Sequence, residues 1–253
     1  MSRYAFGDPP LWPPLLAILG GGASTRRHAH HALHLVLALE GELSLSVGGE
    51  QRRGAGVLTA PNVEHAIDAG GTQRLLVFLD PESDAGRELL ATVEGSHRMI
   101  TRRQRDALAR GVDPVALMSG GGVTWAARAA EILGAAPVSP LRMHRGVKKA
   151  LKYLKDEGTA ADSSLESLAA VAGISPGRFM HVFTESVGIP LRPYLAWLKL
   201  QRAVSAIVSG HALSQAALAA GFSDSAHMSR AFSRMLGIRP RELLESVQFN
   251  AAS

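Results

Sequence analysis

The chain has 253 residues, 46% of them apolar and 19% charged, and it contains no cysteine. This is the balance of a globular protein long enough for two domains, and it excludes disulfide frameworks, thiolate metal sites and cysteine nucleophiles. The net charge of +5 is lopsided: residues 1–140 carry 13 Lys+Arg against 14 Asp+Glu, and residues 141–253 carry 14 against 8.

The first residues hold Pro9, Pro10, Pro13 and Pro14 and one Arg, with no apolar core of signal-peptide length. No apolar run approaches the ~20 residues that span a bilayer, so a soluble, cytoplasmic protein with no membrane partner is expected. The glycines at 20–22 lack the Lys that a phosphate-cradling loop requires. Residues 1–80 read as β-rich. Leu33 to Val47 contains two apolar runs around a Glu40–Gly41 turn, with alternation at Leu43, Leu45 and Val47. Gly48–Gly49 is a two-residue hairpin signal. Further strand patterns stand at Val57–Leu58 and Leu75–Leu79, a spacing that predicts a barrel or sandwich. After Asp80–Pro81, residues 84–135 read as helices broken at Gly95, Gly111–Pro114 and Gly120–Gly122, serving either as packing cover or as a dimer surface. Gly134 to Pro140 reads as a linker.

From Leu141 the pattern is helical throughout. One helix stops at Gly158, Ser163 and Glu166 form a capping box for the next, and Ser175–Pro176 caps a third. Two stretches then repeat each other: Phe179 and Met228, Phe183 and Phe232, Gly188 and Gly237, and Ile189 and Ile238 each lie 49 positions apart. Each copy reads as an apolar helix, a Gly-containing turn and a second helix. A helix-turn-helix lays its second helix in the DNA major groove, so tandem copies predict a reader of two grooves. The helix between them, 190–209, would be about 30 Å long at 1.5 Å per residue, close to the ~34 Å between successive grooves. Burying Phe179 and Phe183 in one copy leaves Ser175, Gly177, Arg178 and His181 as candidate DNA contacts. Burying Met228 and Phe232 in the other leaves Ser225, Ala226, His227, Arg230 and Arg234. Arg230 is the candidate for guanine O6 and N7, and Arg234 for a phosphate. The plainer reading of Arg230 is a surface cation or a partner of Asp224.

These residues resemble the DNA-binding part of the AraC/XylS family of transcription regulators over roughly 143–245. The carriers are Leu168–Ala169, Gly173, Ser175–Pro176, Phe183, Gly188, Tyr194, Ala203, Gly221–Phe222, Asp224, Phe232, Gly237 and Pro240. His181 stands where an Arg is usual and Gly177 where a larger contact residue is usual, so the second copy is expected to specify the site. The family also implies contact with RNA polymerase and an α+β architecture in which a cupin-like barrel precedes the DNA-binding part. Residues 28–65 are similar to such a barrel, with His28, His30 and His34 on a first strand pattern and His65 on a later one. In the metal-binding version of that fold His34 occupies the position of a Glu. Alternation places 28, 30 and 34 on one strand face and turns His31 outward.

The four histidines read either as ligands of a divalent transition metal or as structural or effector-contacting side chains. The resulting division is 1–83 as sensing barrel, 84–140 as helical extension with a potential homodimer surface, and 141–253 as DNA-binding domain. The function expected is a DNA-binding regulator controlled by a small molecule or metal. A metal-dependent oxygenase or isomerase fused to a DNA-binding tail is the alternative, and a helical adaptor a third.

Overall fold

The computed structural model describes residues 15–22, 24–113, 116–117, 122–139, 143–157 and 161–244. The expectations at the proline-rich start and at Pro114, Gly120, Gly121, Pro140 and Gly158 lie outside them. The described residues form eight strands: β1 (Leu15–Gly22), β2 (Leu33–Ala38), β3 (Leu43–Val47), β4 (Glu50–Gly54), β5 (Gly56–Thr59), β6 (His65–Asp68), β7 (Gly71–Leu79) and β8 (His97–Ile100). They form two antiparallel sheets, ordered β1–β7–β2–β5–β8 and β4–β3–β6. The expected barrel does not close. The turn at Gly41 carries the chain from one sheet into the other, and an isolated bridge between His28 and His65 extends the small sheet where a barrel would need a continuous ladder.

Burial follows from this arrangement. β2 is buried at every position: Leu33, Leu35 and Leu37 face helices, while Val36 and Ala38 face Leu43, Leu45, Val47 and Ile67. β4, at an edge, is polar and exposed. Gly48 and Gly49 both have positive φ (56° and 83°) and join β3 to β4 with Val47 opposite Glu50, as the hairpin signal required. β8 interrupts the stretch expected to be helical. It pairs with β5, placing Ile100 opposite Gly56, and four residues are too few to display a period in the sequence.

Around the large sheet pack α1 (Asp84–Leu90), α2 (Arg102–Ala109) and α3 (Gly122–Ile132). The remaining helices are α4 (Arg145–Asp156), α5 (Leu165–Ala172), α6 (Pro176–Val187), α7 (Leu191–Val208), α8 (Leu213–Ala219) and α9 (Ser225–Met235). The cap of α5 is Ser164, whose hydroxyl accepts from the Ser167 N–H at 3.2 Å, one residue later than the capping box expected. Asp162 accepts from the Ser164 N–H at 2.9 Å and sets that register. Ser175 caps α6 as expected, and Asp224 caps α9.

Helix α7 divides its buried face between two cores. Tyr194 and Leu198 join α4, α5 and α6. Trp197, Leu200, Ala203, Val204 and Ile207 join α8, α9 and also Ile18, Ala32, Leu76 and Phe78 of the N-terminal half. The C-terminal helices therefore pack directly on the inner face of the large sheet.

Candidate nucleic-acid interface and histidine site

The structure places the two helix pairs, α5–α6 and α8–α9, at opposite ends of α7. Phe179, Phe183, Met228 and Phe232 are fully buried, which turns the remaining faces of α6 and α9 outward. Ser175, Gly177, Arg178 and His181 are exposed on α6 or its cap, and Ser225, Ala226, His227, Arg230 and Arg234 on α9. Asp224, the alternative partner of Arg230, accepts from the His227 N–H at 2.6 Å as the helix cap, and the Arg230 charge also acts on its carboxyl. That hydrogen bond also holds its carboxyl below the usual carboxylate range. The His227 ring stands edge-on to Phe222 and contacts the Ser223 hydroxyl at 3.1 Å, so it is tied back to its own turn.

At the other site, four side chains far apart in sequence converge. One ligating atom from each of His28, His30, His34 and His65 lies within 4.8 Å of every other, and all four residues are buried. They do not share a strand face as alternation predicted. His34 lies in β2, whereas His28 and His30 come from the segment before it. His28 is held by reciprocal backbone bonds to His65 (3.0 and 2.9 Å), and the His30 carbonyl accepts from the Asn62 N–H at 2.8 Å. His31 does not turn to solvent. It is buried and donates from Nε2 to Glu82 at 3.0 Å, because Glu82 lies behind it in an equally closed position.

The tautomers follow from the hydrogen bonds. A carbonyl oxygen only accepts, so Nδ1 carries the proton in His28 (to Arg26 O, 2.8 Å), His30 (to Ala32 O, 3.0 Å) and His65 (to Val63 O, 2.8 Å). Each Nε2 is then a bare lone pair. His34 Nδ1 stands 3.4 Å from His30 Nε2 and 3.3 Å from His65 Nε2. Four nitrogens bound at about 2.0–2.1 Å to one tetrahedral ion stand about 3.3 Å apart. His28 Nε2 and His34 Nε2 are buried with no hydrogen-bond partner. Burial, reinforced by the neighbouring His65, lowers the His28 pKa to about 4, and burial pushes His30, His34 and His65 down as well. Neutral imidazoles with backbone-oriented Nδ1–H groups are the form that a first-row metal takes as ligands, and the residues present fit such an ion.

The cluster abuts the C-terminal helices. Trp197 stacks on His30 (5.9 Å between ring centroids, 25° between planes) and donates its indole N–H to Asp80 at 3.0 Å. Gln201, one turn on, donates to the same oxygen at 3.2 Å. Burial, with the charge of Glu82, raises the Asp80 carboxyl well above its ordinary range. After α9, the Gly237 carbonyl accepts from the Arg26 N–H at 3.0 Å. Sequence reasoning missed this junction. Its one signal was a Trp and a Gln at i and i+4 among apolar residues of α7.

Residues 168–246 match the family model described as a helix-turn-helix domain. The match covers less than half of the chain and marks a helix-turn-helix domain in its C-terminal part. By overall shape the chain is similar to an apo variant of ToxT from Vibrio cholerae strain SCE256 (TM-score 0.61, 10% identity, covering 92% of this chain and 98% of that one). It is likewise similar to wild-type ToxT from the same strain, solved with an unsaturated fatty acid bound (TM-score 0.55, 10% identity, 92% and 94% covered). At that identity the likeness is one of fold.

Proposed function

We propose that the chain is a sequence-specific, DNA-binding transcription regulator whose α5–α6 and α8–α9 pairs act as two helix-turn-helix units on successive major grooves. The observation that carries this reading is the repeated outward face of α6 and α9, set at the two ends of α7. The 18 residues of α7 span about 27 Å, against roughly 34 Å per duplex turn. The excess of 14 Lys+Arg over 8 Asp+Glu in residues 141–253 supplies phosphate attraction. In this reading residues 141–253 bind DNA, with Arg230 on a base edge and Arg234 on a phosphate. Residues 1–83 form the sensing part, and residues 84–140 cover it and offer a surface for a homodimer. Contact with RNA polymerase belongs to the same reading.

Control comes from the compartment between the sheets. The histidines would hold a divalent transition metal through His28, His30, His34 and His65, and that ion would draw the segment before β2 onto β6. Because His30 touches Trp197 and Arg26 bonds to Gly237, occupancy of the compartment bears on the placement of α7 and α9. A ligand shifts a conformational equilibrium only through different affinity for its two states, and this junction is where the difference would arise. The fold shared with a protein solved with a fatty acid bound supports a ligand-responsive reading over an enzymatic one. So does the placement of the neighbouring carboxylates: Glu64 is exposed beside Arg27, and Asp80 is engaged by Trp197 and Gln201.

The test is footprinting of the full chain on sites selected from random duplexes. Two protected segments one helical turn apart are expected, with affinity falling steeply as salt rises. Protection of a single segment, or of none, would overturn the two-groove reading.

A further inference from the structure

Arg74 lies on β7, where residues 75, 77 and 79 face the helices. Alternation puts Arg74 on the opposite face with Leu76 and Phe78. Phe78 stacks on His34 at 4.1 Å between centroids, so this is the face that looks into the histidine compartment. Arg74 is 3% exposed, and its Nε and Nη1 are buried with no hydrogen-bond partner among the described residues. A guanidinium does not shed its proton to escape burial, as a Lys or His can. The acid nearest in charge, Asp68, is exposed and accepts from the Ser24 hydroxyl and the Gly70 N–H at 2.8 and 3.0 Å. The four imidazoles of the compartment carry no negative charge, and the nearby buried Asp80, its carboxyl raised well above the ordinary range, is engaged by Trp197 and Gln201. Among the described residues this buried cation is attracted only by the surface carboxylate of Asp68 and has no carboxylate in hydrogen-bond contact, whereas buried charges in proteins are paired directly.

We propose that the space between the two sheets is a binding site for an organic monocarboxylate, whose two oxygens accept forked hydrogen bonds from the Arg74 guanidinium. One negative charge balances the one that Arg74 brings, where a phosphate dianion would leave an excess. Leu76 and Phe78, next along the same face, give the apolar remainder of the ligand its contact. This deepens the effector reading above and rests on it for the consequence at the DNA, though not for binding itself.

The experiment is thermal unfolding of the full chain titrated with acetate, benzoate and octanoate, with benzamide and inorganic phosphate as controls, before and after chelation. At least one carboxylate should raise Tm, by roughly 5–10 °C at a hundredfold excess over its Kd, while benzamide and phosphate leave it unchanged. Arg74→Met should abolish the shift and raise the Tm of the ligand-free chain, because an unpaired buried charge has been removed. Arg74→Lys, which keeps the charge and loses the fork, should at least halve the shift. The proposal fails if no carboxylate shifts Tm, if phosphate matches them, if Arg74→Met responds like the wild type, or if ligand-free Arg74→Met melts below it. DNA affinity of the same samples separates the two ideas. A chain that binds DNA and ignores every carboxylate refutes this site alone. A chain that takes a carboxylate with unchanged DNA affinity keeps the site and refutes effector control.

Discussion

Gly188 and Gly237 occupy equivalent places in the repeat, each following the second helix of its pair, and both are left-handed (φ 85° and 67°). Their surroundings differ. A methyl group on Gly188 would meet nothing within 4 Å, whereas one on Gly237 would stand 2.6 Å from both the Arg26 carbonyl oxygen and His28 Nδ1. Gly188→Ala should therefore cost only the left-handed conformation, about 1–2 kcal/mol. Gly237→Ala should cost that amount plus the bond from the Arg26 N–H, about 0.5–1.5 kcal/mol, plus the displacement of His28. A total of about 3 kcal/mol or more follows, which is roughly a 6–12 °C loss of Tm for a chain of this size, against about 2–8 °C for Gly188→Ala. Metal uptake provides a second measure. Displacing His28 from its carbonyl partner should weaken metal affinity about 10–100-fold, and Gly188→Ala should leave it intact. Equal losses of Tm and equal metal affinity in the two variants would refute the idea that Gly237 joins the histidine site to the helices.

Three further outcomes are expected. Arg230→Ala should weaken binding to the preferred duplex by about 1–3 kcal/mol and blur its sequence preference, whereas Arg234→Ala should weaken every sequence alike; anisotropy titrations on specific and scrambled duplexes distinguish them. His65→Ala should abolish stoichiometric uptake of a first-row metal by the full chain, measured by elemental analysis after reloading; retained stoichiometry would exclude the four-histidine site. Asp80→Asn should flatten the dependence of Tm on pH. Because burial raises the folded-state pKa of Asp80, the folded chain keeps a proton that the unfolded chain releases above about pH 4. That contribution is complete at lower pH and is lost as pH rises through the folded value; an unchanged slope in the variant would count against it.

The sequence alone determined the tandem helical repeat, because its signals are local. Phe179 with Phe183 and Met228 with Phe232 repeat at i, i+4, and Ser175 and Gly188 bracket one helix within thirteen residues. The Gly48–Gly49 hairpin was legible for the same reason. The strand β8 was not, since four residues gain their strand character from β5 across the sheet. The four histidines do converge, but not along one strand face: only His34 sits in the strand, and backbone bonds to His65 and Asn62 bring the other two in. Tertiary structure alone decided that the strands form two open sheets, that His31 is buried on Glu82, and that Arg74 Nε and Nη1 are buried without a hydrogen-bond partner among the described residues. It alone set Trp197 between His30 and Asp80. Each of these depends on what another part of the chain places within a few ångströms, and pairings between residues dozens of positions apart leave no period in a sequence to read.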